Sequence, residues 1–354
     1  MKKKYKYSIY VAINNAASTT VLYKGTSQYA GGGGRLDQIS IKGGGISLEC
    51  GRATLIDLEG VFKNYQSGLY GQISKCILFY ISTMQAIPDI ASISIKVERE
   101  GVFIKEKLIS SKEFKGHAEL QSQLKARFNS VSLQVIFDES DKSAALLKSI
   151  SHLIRSKTKQ DTFDRFDSLW KSYNALYKII ARKSKDHECH VELRKFILNN
   201  PSASKSIVKL TSKMTASELR AKLRWRALIL NDFESLEKTK SFHDFIMRYT
   251  DARLMKVFEE ILPYREDFLN AKGLLQNVKN HIKTHLNSGI NNDQELVAIL
   301  CIKYMYFVRN KSAHGERMDR IIGLGSKETK EIKWLSDLLE TLVIDLINDN
   351  KLYK

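Results

Sequence analysis

At 354 residues the chain is too long for one ordinary domain and comfortable for two, and its 43% apolar and 27% charged residues suit soluble globular protein. No apolar run approaches the roughly 18–20 residues of a membrane helix, and four cysteines without a Cys-x-x-Cys spacing in so long a chain need no disulfide scaffold. The formal net charge of +18 attracts polyanions: nucleic acid is the commonest such partner, with an acidic protein or anionic membrane surface second. Residues 1–150 hold 20 Lys+Arg against 13 Asp+Glu, and residues 151–354 hold 37 against 26, so either half could face phosphate or simply carry a basic surface.

The basic start Met1-Lys2-Lys3-Lys4 has no signal-peptide core behind it, and a reducing cytoplasm is the expected location. Short, β-branched or aromatic segments follow: Tyr5–Ile13, Ile39–Ile41, Ile46–Glu49, Cys76–Ser82, Ile93–Val97 and Val102–Leu108 read as strands. Gly31–Gly34 and Gly43–Gly45 mark turns or loops between them. A helix is expected over Glu119–Phe128 and a further strand over Val131–Phe137. From about residue 142 onward the pattern is helical. Phe163, Phe166, Leu169, Trp170, Tyr173, Leu176, Tyr177 and Ile180 step by three and four along one face, and similar stripes run through Leu219–Leu230, Phe242–Phe258, Glu295–Arg309 and Glu331–Ile347. The expected fold is therefore α+β in two domains, a β-rich domain over residues 1–140 and a helical bundle over 141–354.

Chemistry concentrates where the apolar helix around Tyr304–Val308 turns polar: Arg309-Asn310-Lys311-Ser312-Ala313-His314-Gly315-Glu316. In a continuous α-helix, five residues amount to about 500° of rotation and leave two side chains diverging by roughly 140°. For Arg309 and His314 to share one phosphate, the helix must end or bend between them, and Asn310, Ser312 and Gly315 favour such a break. Histidine exchanges protons near neutral pH, and arginine presents a permanently cationic fork of donors to phosphoryl oxygens. The blander reading is a surface histidine beside a last-turn arginine favoured by the helix dipole.

An Arg-Asn-x-x-x-His motif at the end of a long helix in an all-α domain resembles the signature of HEPN domains, found in many prokaryotic toxin and antiphage ribonucleases. The aromatic helix Phe166–Tyr177 and the closing helix Glu331–Asn350 are similar to helices of that family, so the resemblance covers roughly residues 150–350. It implies a HEPN-like bundle that cuts RNA without metal or other cofactor. It also implies a homodimer in which two copies of Arg309 and His314 flank one scissile phosphate, with Asn310 in support. A 2′,3′-cyclic phosphate and a 5′-hydroxyl are the implied products, and a toxin or antiphage effector the implied role. The β-rich domain would then sense a trigger, restrain the nuclease or select its RNA, and an antitoxin or a phage trigger would be a partner of the protein. The rival reading is a non-catalytic helical module that binds nucleic acid or protein.

Other residues compete for attention. Lys311 and Arg317 flank the motif as RNA-binding cations. Arg220, Lys222, Arg224 and Arg226 surround Trp225, which either stacks on a base or sits in the core. His187, Cys189 and His190 lack a second ligand cluster for zinc, and His281 and His285 lack the adjoining glutamate of a zinc protease, so no metal site is expected. Gly31–Gly34 lacks the Lys-Ser/Thr and helix of a phosphate-binding loop.

Overall fold

The computed structural model describes residues 4–14, 19–29, 31, 33–64, 67–113, 120, 123–313 and 326–353. The chain divides into two compact units, Met1–Gln160 and Asp161–Lys354. A β-rich unit followed by a helical one is the α+β layout expected.

The first unit holds an antiparallel sheet of β1 (Tyr5–Ile13), β2 (Val21–Gln28), β3 (Leu36–Lys42), β4 (Gly45–Arg52), β5 (Ile90–Arg99) and β6 (Val102–Ser110) in the order β2-β3-β4-β1-β5-β6. Central β1 explains the layering. Tyr7, Ile9, Val11 and Ile13 are buried on one face, and Ile9 lies opposite Leu48 of β4 and Ile95 of β5, both buried too. The intervening positions carry Lys6, Ser8 and Tyr10, so this face is polar, as in sheets solvated on one side. The helices α1 (Gly68–Met84), α2 (Ser130–Leu133) and α3 (Asp141–Lys157) complete the unit.

Three local expectations are corrected. Cys76–Ser82 is the second half of α1, not a strand. Leu69, Ile73, Cys76 and Tyr80 recur at helical spacing and are buried, a period visible only when the window starts upstream of the apolar run. Val131–Phe137 is helical, since Asn129 accepts hydrogen bonds from the amides of Val131 and Ser132 and caps a turn that continues as the 3-10 helix Gln134–Phe137. Residues 123–129 form no helix, and part of the remaining Glu119–Phe128 prediction lies outside the described residues.

Strand β2 carries no clear signal in the sequence, because Gly25, Thr26 and Ser27 dilute its apolar pattern. Gly25 is there for space: a Cβ would lie 2.6 Å from the Tyr23 hydroxyl oxygen, whose ring stacks on Phe137 at 4.3 Å. Helix α3 starts at its Ser140 cap and packs on α1 and on the 3-10 turn, so it belongs to the first unit, and the division falls after Gln160.

Inside the first unit, Arg52 donates to both carboxylate oxygens of Asp37 at 2.8 Å, with its guanidinium 3.8 Å over the Tyr29 ring. Gln72 donates to Asp37 at 2.9 Å and accepts from Ser27 at 2.8 Å. Asp37 is wholly buried and Arg52 nearly so.

The second unit comprises α4 (Thr162–Ala181), α5 (Asp186–Asn199), α6 (Lys205–Thr211), α7 (Ala216–Lys222), α8 (Trp225–Asp232), α9 (Thr239–Met247), α10 (Ala252–Ile261), α11 (Glu266–Ala271), α12 (Leu275–Ser288), α13 (Asp293–Ala298), α14 (Met305–Ala313) and α15 (Lys327–Asn348). The aromatic stripe of α4 is buried as its spacing demanded, and α4 packs along α15 and against α5 and α14. Arg165 of α4 reaches Asp337 and Glu340 of α15 at 2.8 and 2.7 Å. Two predicted stripes are each two helices. Leu219–Leu230 breaks where Leu223 is extended, and Phe242–Phe258 breaks where Asp251 caps α10 by accepting from the Leu254 amide. Among the described residues no helix is long and apolar enough to cross a membrane.

Candidate nuclease site

The helix leading to Arg309 is continuous but irregular. Asn292 caps α13, the stretch Ile299–Tyr304 is π-helical, and α14 then carries the motif. A π segment widens the helical ladder and rotates the turns beyond it. Tyr304 is buried, donating to Glu331 of α15 and accepting from the Arg224 amide at 2.6 Å. Burial, reinforced by Glu331, holds its phenol well above the usual range. Tyr306 leaves the opposite side of the helix and packs on His190 of α5, ring centroids 4.7 Å apart, and on Trp170 of α4 at 6.2 Å. The helix is thus anchored on both sides just before the motif. The Tyr304–Glu331 anchor escaped sequence reasoning, because a tyrosine in an apolar helix reads as core and a glutamate as surface.

Beyond Val308, which is fully buried, Arg309, Asn310 and Lys311 are half-exposed. Arg309 Nη1 donates to Asn310 Oδ1 at 3.2 Å. α14 runs through Ala313, and the rest of the region where the helix is expected to end or bend, His314 and Gly315, lies outside the described residues. His314 and Arg317 lie outside the described residues.

Two predicted RNA contacts are engaged internally. Trp225 is core, 3% exposed, its indole donating to the Leu219 carbonyl at 3.0 Å, so no base can stack on it. Arg224 donates to Glu331 at 2.7 Å and Glu328 at 2.9 Å, binding the α7–α8 junction to α15. The break at Leu223–Arg224 is what turns both residues inward; a single continuous helix would have separated them differently.

The remaining candidates find structural roles. Cys189 is buried and donates to the Lys183 carbonyl, His190 lies inside against Tyr177 and Tyr306, and His187 points to solvent, so the three do not converge. His281 pairs with the Tyr249 carbonyl at 2.8 Å and packs on His285. Among the described residues no group of three His, Cys, Asp or Glu side chains could hold a metal. The turn linking β2 to β3 places Gly31, Gly33 and Gly34 at positive φ, and the Gly31 amide donates to Glu139 at 3.1 Å. All four thiols are buried, which raises their pKa and makes them poor nucleophiles.

His190 offers a pH test of this packing. Burial pushes its imidazole down to about 4, and its Nε2 has no hydrogen-bond partner. Above pH 6.5 it is neutral in both folded and unfolded chains. Below that, the unfolded chain takes up a proton that the folded one refuses, so stability falls between pH 6.5 and about 4 and the contribution then levels off. His190→Phe is expected to flatten this segment of the stability–pH curve measured by urea unfolding; an unchanged slope would remove His190 as its source.

In comparison with known proteins, no family model, no curated protein and no solved structure matches the chain.

Proposed function

We propose that the helical unit is a metal-independent endoribonuclease of the HEPN type, working as a homodimer with Arg309 and His314 as the reacting pair. The observation that carries this reading is the polar turn Arg309-Asn310-Lys311: half-exposed, joined by the Arg309–Asn310 bond, and held at the end of a helix that is otherwise locked into the core. Rigid support of this kind is what a positioned guanidinium requires.

In the proposed reaction the ribose 2′-oxygen attacks phosphorus and the P–O5′ bond breaks. One histidine takes the 2′-hydroxyl proton and the other delivers a proton to the departing 5′-oxygen, leaving a 2′,3′-cyclic phosphate and a 5′-hydroxyl. Arg309 meets the charge on the phosphoryl oxygens, and Asn310 steadies it. Because α14 continues through Ala313, Arg309 of one copy working with His314 of the other is a natural way to join the two groups at one phosphate. The first unit would sense a trigger, restrain the nuclease or select its RNA, in keeping with a toxin or antiphage role.

Incubation with RNA in excess EDTA tests the chemistry. Cleavage is expected to persist and to leave 2′,3′-cyclic ends. Loss of cutting on chelation would replace this reading with a metal-dependent nuclease, and tight binding with no cutting in any buffer would replace it with a binding module.

A further inference from the structure

Four cations border a groove of about 480 Å³ in the helical unit: Arg220 of α7, Arg224 at the α7–α8 junction, Arg226 in the first turn of α8 and Lys327 at the start of α15. They are not equivalent. Arg224 is engaged by Glu328 and Glu331, and Arg220 pairs with Glu260 on the α10 side. Arg226 and Lys327 are exposed, and no ion pair among the described residues engages either.

Arg226 is nevertheless held in place, because its guanidinium lies 4.8 Å from the centroid of the Tyr264 ring. Stacking of this kind leaves the N–H edge free to meet an acceptor in the guanidinium plane. Helix α8 has no side-chain cap, and its first three residues line the groove, adding the positive end of the backbone dipole. A further donor, Arg224 Nη2, is buried without a partner. Leu230 and Ile261 give the floor an apolar character. The volume lies in the ~300–1,000 Å³ range of small-ligand sites, enough for one nucleotide.

We propose that this groove seats one nucleotide of a single-stranded RNA, its phosphate on Arg226 and Lys327 and its ring against the apolar floor. The proposal rests on the reading of the helical unit as one that acts on RNA. The groove wall is tied to the helix bearing Arg309 through the Arg224–Tyr304 hydrogen bond.

The test uses the full chain carrying Arg309→Ala and a fluorescent twelve-residue oligouridylate, followed by anisotropy over a range of salt. Adding R226E/K327E is expected to weaken binding by at least about tenfold and to flatten the salt dependence by about one unit of log–log slope. K209E/K240E makes the same charge change at exposed lysines elsewhere in the unit and is expected to stay within about twofold of the parent. Arg226 and Lys327 are exposed, so both variants should fold, as checked by circular dichroism. Equal losses in the two double variants, or no loss in either, overturn the groove. So does an absence of RNA binding, groove-dependent binding of AMP without the strand, or groove-dependent binding of polyglutamate without RNA. The two proposals separate cleanly: groove-dependent binding by a chain that never cuts RNA removes the nuclease alone, and cutting that R226E/K327E leaves untouched removes the groove alone.

Discussion

Replacing either Arg309 or His314 with alanine is expected to lower RNA cleavage by about a hundredfold or more, and Arg309→Ala to do so with little change in melting temperature. A positioned acid or base contributes typically ~10²–10⁴ in rate, and removal of one donor to a developing oxyanion removes a factor of about 10²–10³. Arg309 is half-exposed and its one described bond is to its neighbour Asn310, so truncation empties no core space. Arg309→Lys should rescue poorly, because an ammonium keeps the charge and loses the fork. Mixing the His314→Ala chain into wild-type protein tests the dimer directly. If one phosphate needs a histidine from each copy, heterodimers are inactive and excess variant chain suppresses cleavage; if each chain cuts on its own, the wild-type activity is unchanged by mixing. Retention of full cleavage by both single variants would end the nuclease reading, whatever else the protein binds.

The largest stability effect is expected in the first unit, at the buried pair in the sheet. Arg52→Met strands the Asp37 carboxylate, which is fully buried and keeps only the neutral donors Gln72 and the Cys50 thiol among its described side-chain partners. Breaking a buried pair from one side typically costs about 3–5 kcal/mol, because an uncompensated charge remains, whereas replacing both partners by apolar groups is often neutral. Asp37→Leu added to Arg52→Met should therefore recover most of the loss, since Gln72 still reaches the Ser27 carbonyl at 3.3 Å. Denaturant melts of the single and double variants decide it. A double variant as unstable as the single one would show that packing of the Arg52 stem on Tyr29, and not the stranded charge, dominates.

Sequence reading captured what depends on short-range period. Strands β1, β3, β4 and β5 alternate, β6 shows as a short run of β-branched and aromatic residues, and α4 and α15 carry unbroken stripes, so the α+β layout follows from patterning alone. It failed where tertiary context decides. The apolar run Cys76–Ser82 reads as a strand when taken alone, and its helical period shows only when Leu69 and Ile73 upstream are included. Trp225 and Arg224 resemble surface readers of RNA only if one amphipathic helix runs through them; a break of two residues rotates both inward. The surviving cations, Arg226 and Lys327, lie about a hundred residues apart in the chain, and no local pattern could have paired them. The motif around Arg309 was legible because an apolar helix turns polar abruptly there, while the absence of a break before Ala313 was not, since Asn310 and Ser312 are as compatible with a helix surface as with its end.

Asp161, the first residue of the second unit, accepts from the amides of Phe163 and Asp164 at 2.8 and 2.9 Å and so starts α4 by itself. The helical unit takes an opening signal from its own first residue. A recombination event that joined the chain at this point would carry that signal along intact, so the bundle would keep the same beginning.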